Sequence, residues 1–266
     1  MKNQEFSEDQ VAKYWDENSK LWAEQVRKGW DGYREYFNNP AFFVFLGDLK
    51  DQTVLDAGCG EGYNTRILSR QGANMFGVDI SKGLIELARQ AEESEPLGIQ
   101  YEVASFSNLS IFKSSFFDTV VSFVALTDGP NYVQAIKEIY RILRPGGELK
   151  FSITHPCFIT KGTGWILDDN GKYAKLTVSE YFAETPWLEQ WCFAHESIPK
   201  DSMPFKVPAF PRTLSEYINT LISTGFLITK IDEPRPSQQM CKKHNWLQRW
   251  RDHAALFLYI RAAKAS

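Results

Sequence analysis

The sequence predicts an α/β chain organised on a doubly wound parallel sheet. Three observations predict it. Short aliphatic runs alternate with stretches of helical spacing from about residue 53 to 154, as when parallel strands are joined by crossover helices. A glycine-rich turn, Asp56-Ala57-Gly58-Cys59-Gly60-Glu61-Gly62, links the first run to the first of those helices. An acid, Asp79, closes the second run.

The elements follow in order. Residues 8–37 read as helical and aromatic, with Tyr14, Trp15, Trp22, Trp30, Tyr33 and Tyr36 set among charges. Thr53–Ala57 is a short apolar run before a glycine cluster, hence a buried strand. A helix is expected over Tyr63–Arg70, ended by Gly72. Met75–Val78 forms a second strand, and Ser81 caps a helix running to about Glu92. Ile99–Ala104 and Thr119–Val124 read as the third and fourth strands, and Tyr132–Leu143 has helical spacing. Arg144-Pro145-Gly146-Gly147 is a turn in which Pro145 presets φ and Gly146 permits positive φ. Glu148–Thr154 is the fifth strand. Right-handed crossovers bring the C-terminal ends of these strands to one edge, where ligands bind.

The rhythm breaks over residues 155–212, which hold Pro156, Pro186, Pro199, Pro204, Pro208 and Pro211 with Trp165, Trp187 and Trp191. The segment is too long for an ordinary connection and is expected to form a lid or small subdomain. Regular structure resumes with a helix at Leu214–Thr224, a strand at Phe226–Asp232, a mixed polar segment and a final strand at Ala255–Arg261. All eight tryptophans lie outside residues 53–154, so the core sheet is aliphatic and the added parts aromatic. The expected organisation is one domain, with a helical cap over 1–50, a ligand-binding core over 51–154, an insertion over 155–212 and closing elements over 213–266.

Composition bounds the function. A chain of 266 residues accommodates one large α/β domain or two small ones. Its 43% hydrophobic and 24% charged content argues against wholesale disorder. A formal charge of −3 argues against general polyanion binding, so nucleic acid is not an expected partner. The most apolar run, residues 41–46, is far short of the roughly 18 residues a membrane span needs. The polar start MKNQEFSEDQ does not resemble a signal peptide. Cys59, Cys157, Cys192 and Cys241 are scattered, with no CxxC pair, so neither a metal site nor a disulfide framework is expected. A reducing cytoplasm is the expected compartment.

The glycine-rich turn carries the chemistry. Gly58 and Gly60 let the backbone approach a ligand without a Cβ in the way, and the helix start offers unpaired N–H groups. Asp79, at the end of the next strand, can accept two hydrogen bonds from ribose hydroxyls. A dinucleotide fingerprint needs a third glycine where Tyr63 stands. Asp56, directly before the turn, would repel a pyrophosphate and attract an ammonium group. The expected ligand is therefore a nucleoside carrying a cation rather than phosphates.

VLDAGCGEG at 54–62, GVDIS at 77–81, FDTVVS at 117–122 and LRPGGEL at 143–149 together resemble the class I S-adenosylmethionine-dependent methyltransferases. The four blocks, in order and in register, cover about residues 50–155. The resemblance implies a Rossmann-like, doubly wound seven-stranded sheet whose last strand is antiparallel, with S-adenosylmethionine as cofactor and S-adenosylhomocysteine as product. It implies that Gly58 and Gly60 pack beside the cofactor, that Asp56 lies near its amino-acid portion, that Asp79 binds its ribose and that Ile80 flanks its adenine. Cys59 and Phe123 belong to the same expected contact set, and the N-terminal helices would close over the cofactor through Tyr14 and Trp22; plain core packing is the alternative for both aromatics. One position departs from the family pattern: Ser105 stands where many members place an acid that contacts the adenine amino group, and Phe106 could pack on the ring.

His155, directly after the fifth strand, is the candidate general base, having an ordinary pKa near neutrality; the alternative is a turn histidine bonded to backbone before Pro156. Asp128, after the fourth strand, shares that geometry within an Asp-Gly-Pro turn signature. His195 could reach a substrate from the insertion, and Arg34 could bind an acidic one. Lys242, Lys243, His244, Trp246, Arg249, Trp250 and Arg251 mix cations with aromatics as RNA-binding segments do, but a solvated connector is the favoured reading. The expected activity is methyl transfer to a small-molecule acceptor by a monomer or homodimer. Rivals are a nicotinamide-dependent oxidoreductase, a non-catalytic binder of the same cofactor and an RNA methyltransferase.

Overall fold

The computed structural model describes residues 6–193, 198 and 201–265. The chain opens with Glu8–Arg27 (α1), capped by a reciprocal pair in which Ser7 accepts from the Gln10 N–H and the Gln10 side chain accepts from the Ser7 N–H. A five-residue π-helix at Arg34–Asn38 runs into Asn39–Leu46 (α2). The core then alternates as expected: Thr53–Ala57 (β1), Tyr63–Arg70 (α3), Asn74–Asp79 (β2), Lys82–Ser94 (α4), Gln100–Val103 (β3), Phe117–Phe123 (β4), Tyr132–Ile142 (α5) and Leu143–Thr154 (β5). The predicted insertion contains two antiparallel ribbons, Gly164–Leu167 (β6) with Tyr173–Thr177 (β7), and Trp187–Trp191 (β8) with Phe205–Ala209 (β9). Leu214–Thr224 (α6), Phe226–Asp232 (β10), Gln238–Lys243 (α7), Gln248–Asp252 (α8) and Phe257–Lys264 (β11) close the chain.

Seven strands form one sheet in the order β10-β11-β5-β4-β1-β2-β3. β1 lies parallel to β2 and β4, β2 to β3 and β4 to β5, while β11 runs antiparallel to both β5 and β10. This is the Rossmann-like sheet with an antiparallel last strand. Its order reverses between β1 and β4, which opens a crevice at the strand ends where a ligand can enter. The glycine-rich loop leaves β1 at that crevice.

The sheet is covered on both faces. Ile136, Ile139 and Leu221, from α5 and α6, pack with Leu149, Phe151 and Ile260 in one core. Phe42, Phe45, Leu68 and Ile85, from α2, α3 and α4, pack with Val54, Val121 and Tyr259 in the other. Continuous apolar strands are what this two-sided burial requires.

Three features differ from expectation. β5 begins at Leu143, before the Arg144–Gly147 turn, because Leu143 is already extended and pairs with Phe117. The turn is thus a bulge inside a strand, with Gly146 at φ +74°. The final strand is shifted two to three residues beyond the predicted one. The polar segment before it is not a solvated connector. Cys241, Leu247 and Trp250 bury one face of α7, the following 3₁₀ turn and α8. There Trp246 meets Tyr33 edge-on at 4.8 Å, His244 stacks on Tyr36 at 3.9 Å, and the Trp250 indole donates to the Tyr33 hydroxyl at 3.1 Å. Among the described residues, no helix is long and apolar enough to cross a membrane.

Candidate active site

The loop after β1 is fixed by its backbone. Gly58, Gly60 and Gly62 all have positive φ, at +81°, +57° and +84°. The Gly58 and Cys59 N–H groups both donate to the Val78 carbonyl, at 2.8 and 2.9 Å, which ties the loop to the end of β2. A Cβ on Gly58 would fall 2.2 Å from that of Ala125, whereas one on Gly60 would meet no protein atom within 4 Å. Gly58 is therefore a packing glycine, and Gly60 borders open space.

A buried carboxyl, Asp56, and a half-buried one, Asp79, flank the loop. Asp79 Oδ2 accepts from the Gly60 N–H and Oδ1 from the Ser81 N–H, both at 2.9 Å. Asp56 Oδ2 accepts from the Thr65 hydroxyl at 2.7 Å, while its Oδ1 is buried without a partner. Burial, opposed by the Thr65 bond and reinforced by Asp79, pushes the Asp56 carboxyl up to about 7. Burial likewise raises Asp79 to about 6 against its backbone bonds. The Cys59 thiol is buried and pushed well above its ordinary value, first by desolvation and then by Asp79, so it is no nucleophile.

These residues line one cavity of about 680 Å³ that runs from the glycine loop to the aromatic insertion. Helix α1 helps to cover it. Asp16 accepts from the Ser81 hydroxyl at 2.6 Å and the Gly83 N–H at 2.8 Å, docking α1 on the start of α4. Asn18 donates to the Lys206 carbonyl of β9 at 2.9 Å, tying the same helix to the insertion. Trp22 packs in the resulting seam, with ring centroids 5.2 Å from Trp15, 5.7 Å from Trp191, 5.2 Å from Phe193 and 5.5 Å from Phe205.

Of the residues singled out in the sequence, Trp22, Asp56, Gly58, Cys59, Gly60, Asp79, Ile80, Ser105, Phe106 and Phe123 all line the cavity. Tyr14 does not; it packs edge-on against Phe6 at 6.1 Å, and its neighbour Trp15 takes the cavity face. His155 does not line it either. The ring is 2% exposed, its Nδ1 accepts from the Cys157 N–H at 3.2 Å and its Nε2 lies 2.8 Å from Glu233 Oε1. With Nδ1 an acceptor, the neutral ring carries its proton on Nε2 and donates to Glu233. Burial lowers its pKa against the pull of Glu233. His195 lies outside the described residues.

Ser105 is occupied by its own turn, accepting from the Ser107 N–H at 3.1 Å and lying 3.0 Å from the Ser107 hydroxyl. Phe106 presses on Gly129, where a Cβ would come within 2.4 Å of the ring. Arg34 reaches the cavity through the π-helix, with its guanidinium 4.4 Å from the Tyr63 ring centroid and its Nε buried without a partner. Asp128 also faces the cavity, held by the Thr127 hydroxyl at 3.0 Å and pushed up to about 7, chiefly by burial. Sequence reasoning passed over Glu189, although the spacing Trp187-x-Glu189-x-Trp191 places all three on one face of a strand.

Comparison with known proteins agrees with this geometry. Residues 55–151 match the methyltransferase domain family. An S-adenosylmethionine-dependent methyltransferase from Mesorhizobium loti superimposes with a TM-score of 0.69 at 26% identity, covering 85% of this chain and 96% of that one. An uncharacterised protein of Haemophilus influenzae is 27% identical over 242 residues, 86% of this chain and 88% of its own length. A ubiquinone biosynthesis O-methyltransferase of Nitrosococcus oceani is 32% identical over 118 residues, and the match spans only 48% of that enzyme. Residues 55–151 form a methyltransferase domain, and over most of its length the chain is similar in fold to S-adenosylmethionine-dependent methyltransferases, with S-adenosylmethionine as the cofactor.

Proposed function

We propose that this methyltransferase acts on a small-molecule acceptor held in the aromatic half of its cavity. The observation that carries the reading is continuity: one cavity joins the glycine loop to Trp187, Trp191, Phe193 and Phe210, so donor and acceptor can share one largely apolar space. A cavity of about 680 Å³ is of small-ligand size.

The residues fit the donor. Asp56 offers a buried, unpartnered acceptor oxygen to an ammonium group. Asp79 faces the ribose hydroxyls while holding the Gly60 and Ser81 amides. Gly60 leaves room for close approach, Ile80 and Phe106 flank the base, and Trp22 and Phe123 close the site. The donor, when bound, supplies a methyl group already activated by its sulfonium leaving group. The protein's own work is to position the acceptor in line, exclude water and take up a proton where the acceptor carries one. His155 has no part in this reading, because both ring nitrogens are engaged away from the cavity. Calorimetry with S-adenosylmethionine and S-adenosylhomocysteine, followed by labelled-methyl transfer to a panel of small amines and phenols, tests the proposal. Transfer to tRNA or rRNA instead would overturn it.

Two further outcomes are expected. Donor affinity should rise with pH between about 5.5 and 7.5, because ionised Asp56 receives the ammonium group and ionised Asp79 accepts from the ribose hydroxyls, and pKa values near 7 and 6 leave the two partly protonated at the acidic end. Below those values the affinity should fall by up to about tenfold per pH unit for each proton displaced. Calorimetry across this range, in buffers of different ionisation enthalpy, should show proton release on binding at its acidic end; flat affinity would remove both carboxyls from the donor site. His155→Ala should lower stability by about 1–3 kcal/mol in urea unfolding, through loss of a buried ring and two part-buried hydrogen bonds, and leave the dissociation constant of S-adenosylhomocysteine unchanged.

A further inference from the structure

The acceptor half of the cavity carries a charge pattern of its own. The cavity face of β8 presents Trp187, Glu189 and Trp191 in alternation. Across the ribbon, Glu189 stands opposite Val207, so its carboxylate sits between two indoles with an aliphatic neighbour. Glu189 is exposed at the mouth of the cavity and, among the described residues, makes no hydrogen bond or ion pair; partial desolvation of its carboxyl raises its pKa. Asp128 lines the same cavity, and the Glu189 charge adds to the burial that raises its pKa. The two nearby cations are committed elsewhere. Arg212 donates to the Thr127, Gly129 and Pro130 carbonyls, which clamps the loop that carries Asp128. Lys161 lies 3.8 Å from Glu180 and 5.8 Å from the Trp187 ring centroid.

Resting on the methyltransferase reading above, we propose that this half of the cavity selects an amine as the methyl acceptor, with Glu189 and the Trp187 and Trp191 rings holding its ammonium form and Asp128 receiving its proton. A carboxylate between aromatic faces attracts an organic cation through both its charge and the ring quadrupoles. The same surroundings disfavour an acceptor that must become an anion, such as a phenolate or carboxylate, because it would be placed against Asp128 and Glu189. An ammonium nitrogen has no lone pair to donate, so its proton must first leave. It passes to the Asp128 carboxylate, whose burial lifts its pKa to about 7 and makes it a far better proton acceptor than an exposed aspartate. The freed pair forms the N–C bond as the C–S bond breaks, with that bond's electrons staying on sulfur.

The test titrates the chain loaded with S-adenosylhomocysteine against two probes of matched size, 2-phenylethylamine and 2-phenylethanol, read by tryptophan fluorescence and calorimetry. The amine is expected to bind at least about tenfold more tightly than the alcohol. Glu189→Gln should remove most of that preference while the affinities for the alcohol and for S-adenosylhomocysteine stay within about twofold. Glu189→Asp should keep part of the preference, which separates lost charge from lost fold. Equal affinities, tighter alcohol binding, no saturation by the amine, or a preference that survives Glu189→Gln would each overturn the assignment. Failure of the unaltered chain to bind S-adenosylhomocysteine would be a different result, since it removes the methyltransferase reading itself.

Discussion

Replacing Asp79 with alanine should weaken S-adenosylhomocysteine binding by about tenfold to a hundredfold, as measured by calorimetry. The carboxyl does two things at once. Its oxygens accept from the Gly60 and Ser81 amides, each at 2.9 Å, which joins the glycine loop to the start of α4. It also lines the cavity at the end of β2, where a ribose would lie. A hydrogen bond to a charged group is worth about 1.5–3 kcal/mol, which corresponds to the stated range in affinity. Loss of the loop tether alone would lower the melting temperature and leave affinity little changed. Loss of the ribose contact lowers affinity even where the fold is intact. Asp79→Asn separates the two, because its amide keeps one acceptor oxygen for the loop but presents a donor in place of the second. An unchanged dissociation constant in the alanine variant would remove Asp79 from the site.

What could be read in advance follows from how local the determining interactions are. The sheet and the loop after β1 were legible because aliphatic runs and the positive-φ glycines act through backbone geometry within a few residues, and because strand alternation alone places Asp79 at the end of the neighbouring strand. Helix α1 was half legible. Val11, Trp15 and Trp22 stand four and seven residues apart, so they share a stripe and together face the cavity, whereas Tyr14 is rotated off it. Respecting that spacing would have replaced Tyr14 with Trp15. His155 was not legible, because its role depends on Glu233, which belongs to the loop after β10 and reaches it only once β11 has paired with β5. The segment from α7 to α8 looked solvated because charged and amide side chains are interleaved with its apolar residues. Its burial became apparent only with Tyr33 and Tyr36 from the far end of the chain in contact with it. Glu189 belongs to the same class: it is an ordinary polar residue in its own neighbourhood, and only the folded cavity brings it together with Asp128, whose place after β4 already set it at the ligand edge.

The two glycines of the loop should fail in opposite ways. Gly58→Ala places a methyl group 2.2 Å from the Ala125 Cβ at φ +81°. Neither side can yield easily. The Gly58 and Cys59 amides are both bonded to the Val78 carbonyl, and Ala125 offers a rigid Cβ rather than the end of a flexible chain. Overpacking costs about 1–3 kcal/mol and a left-handed alanine about 1 kcal/mol more, so stability should drop by about 2–4 kcal/mol. For a chain of this size that is a fall of roughly 5–15 °C in melting temperature. Gly60→Ala meets nothing within 4 Å and has φ +57°, so only the backbone term of about 1 kcal/mol remains. Its methyl group, however, enters the space assigned to the donor, and the loss should appear as weaker S-adenosylhomocysteine binding. Thermal unfolding and calorimetry on both variants give four numbers. The assignment fails if Gly58→Ala melts like the unaltered protein, or if Gly60→Ala binds the ligand as tightly as before, because the loop would then be free to move away from β4 or the donor would not approach it.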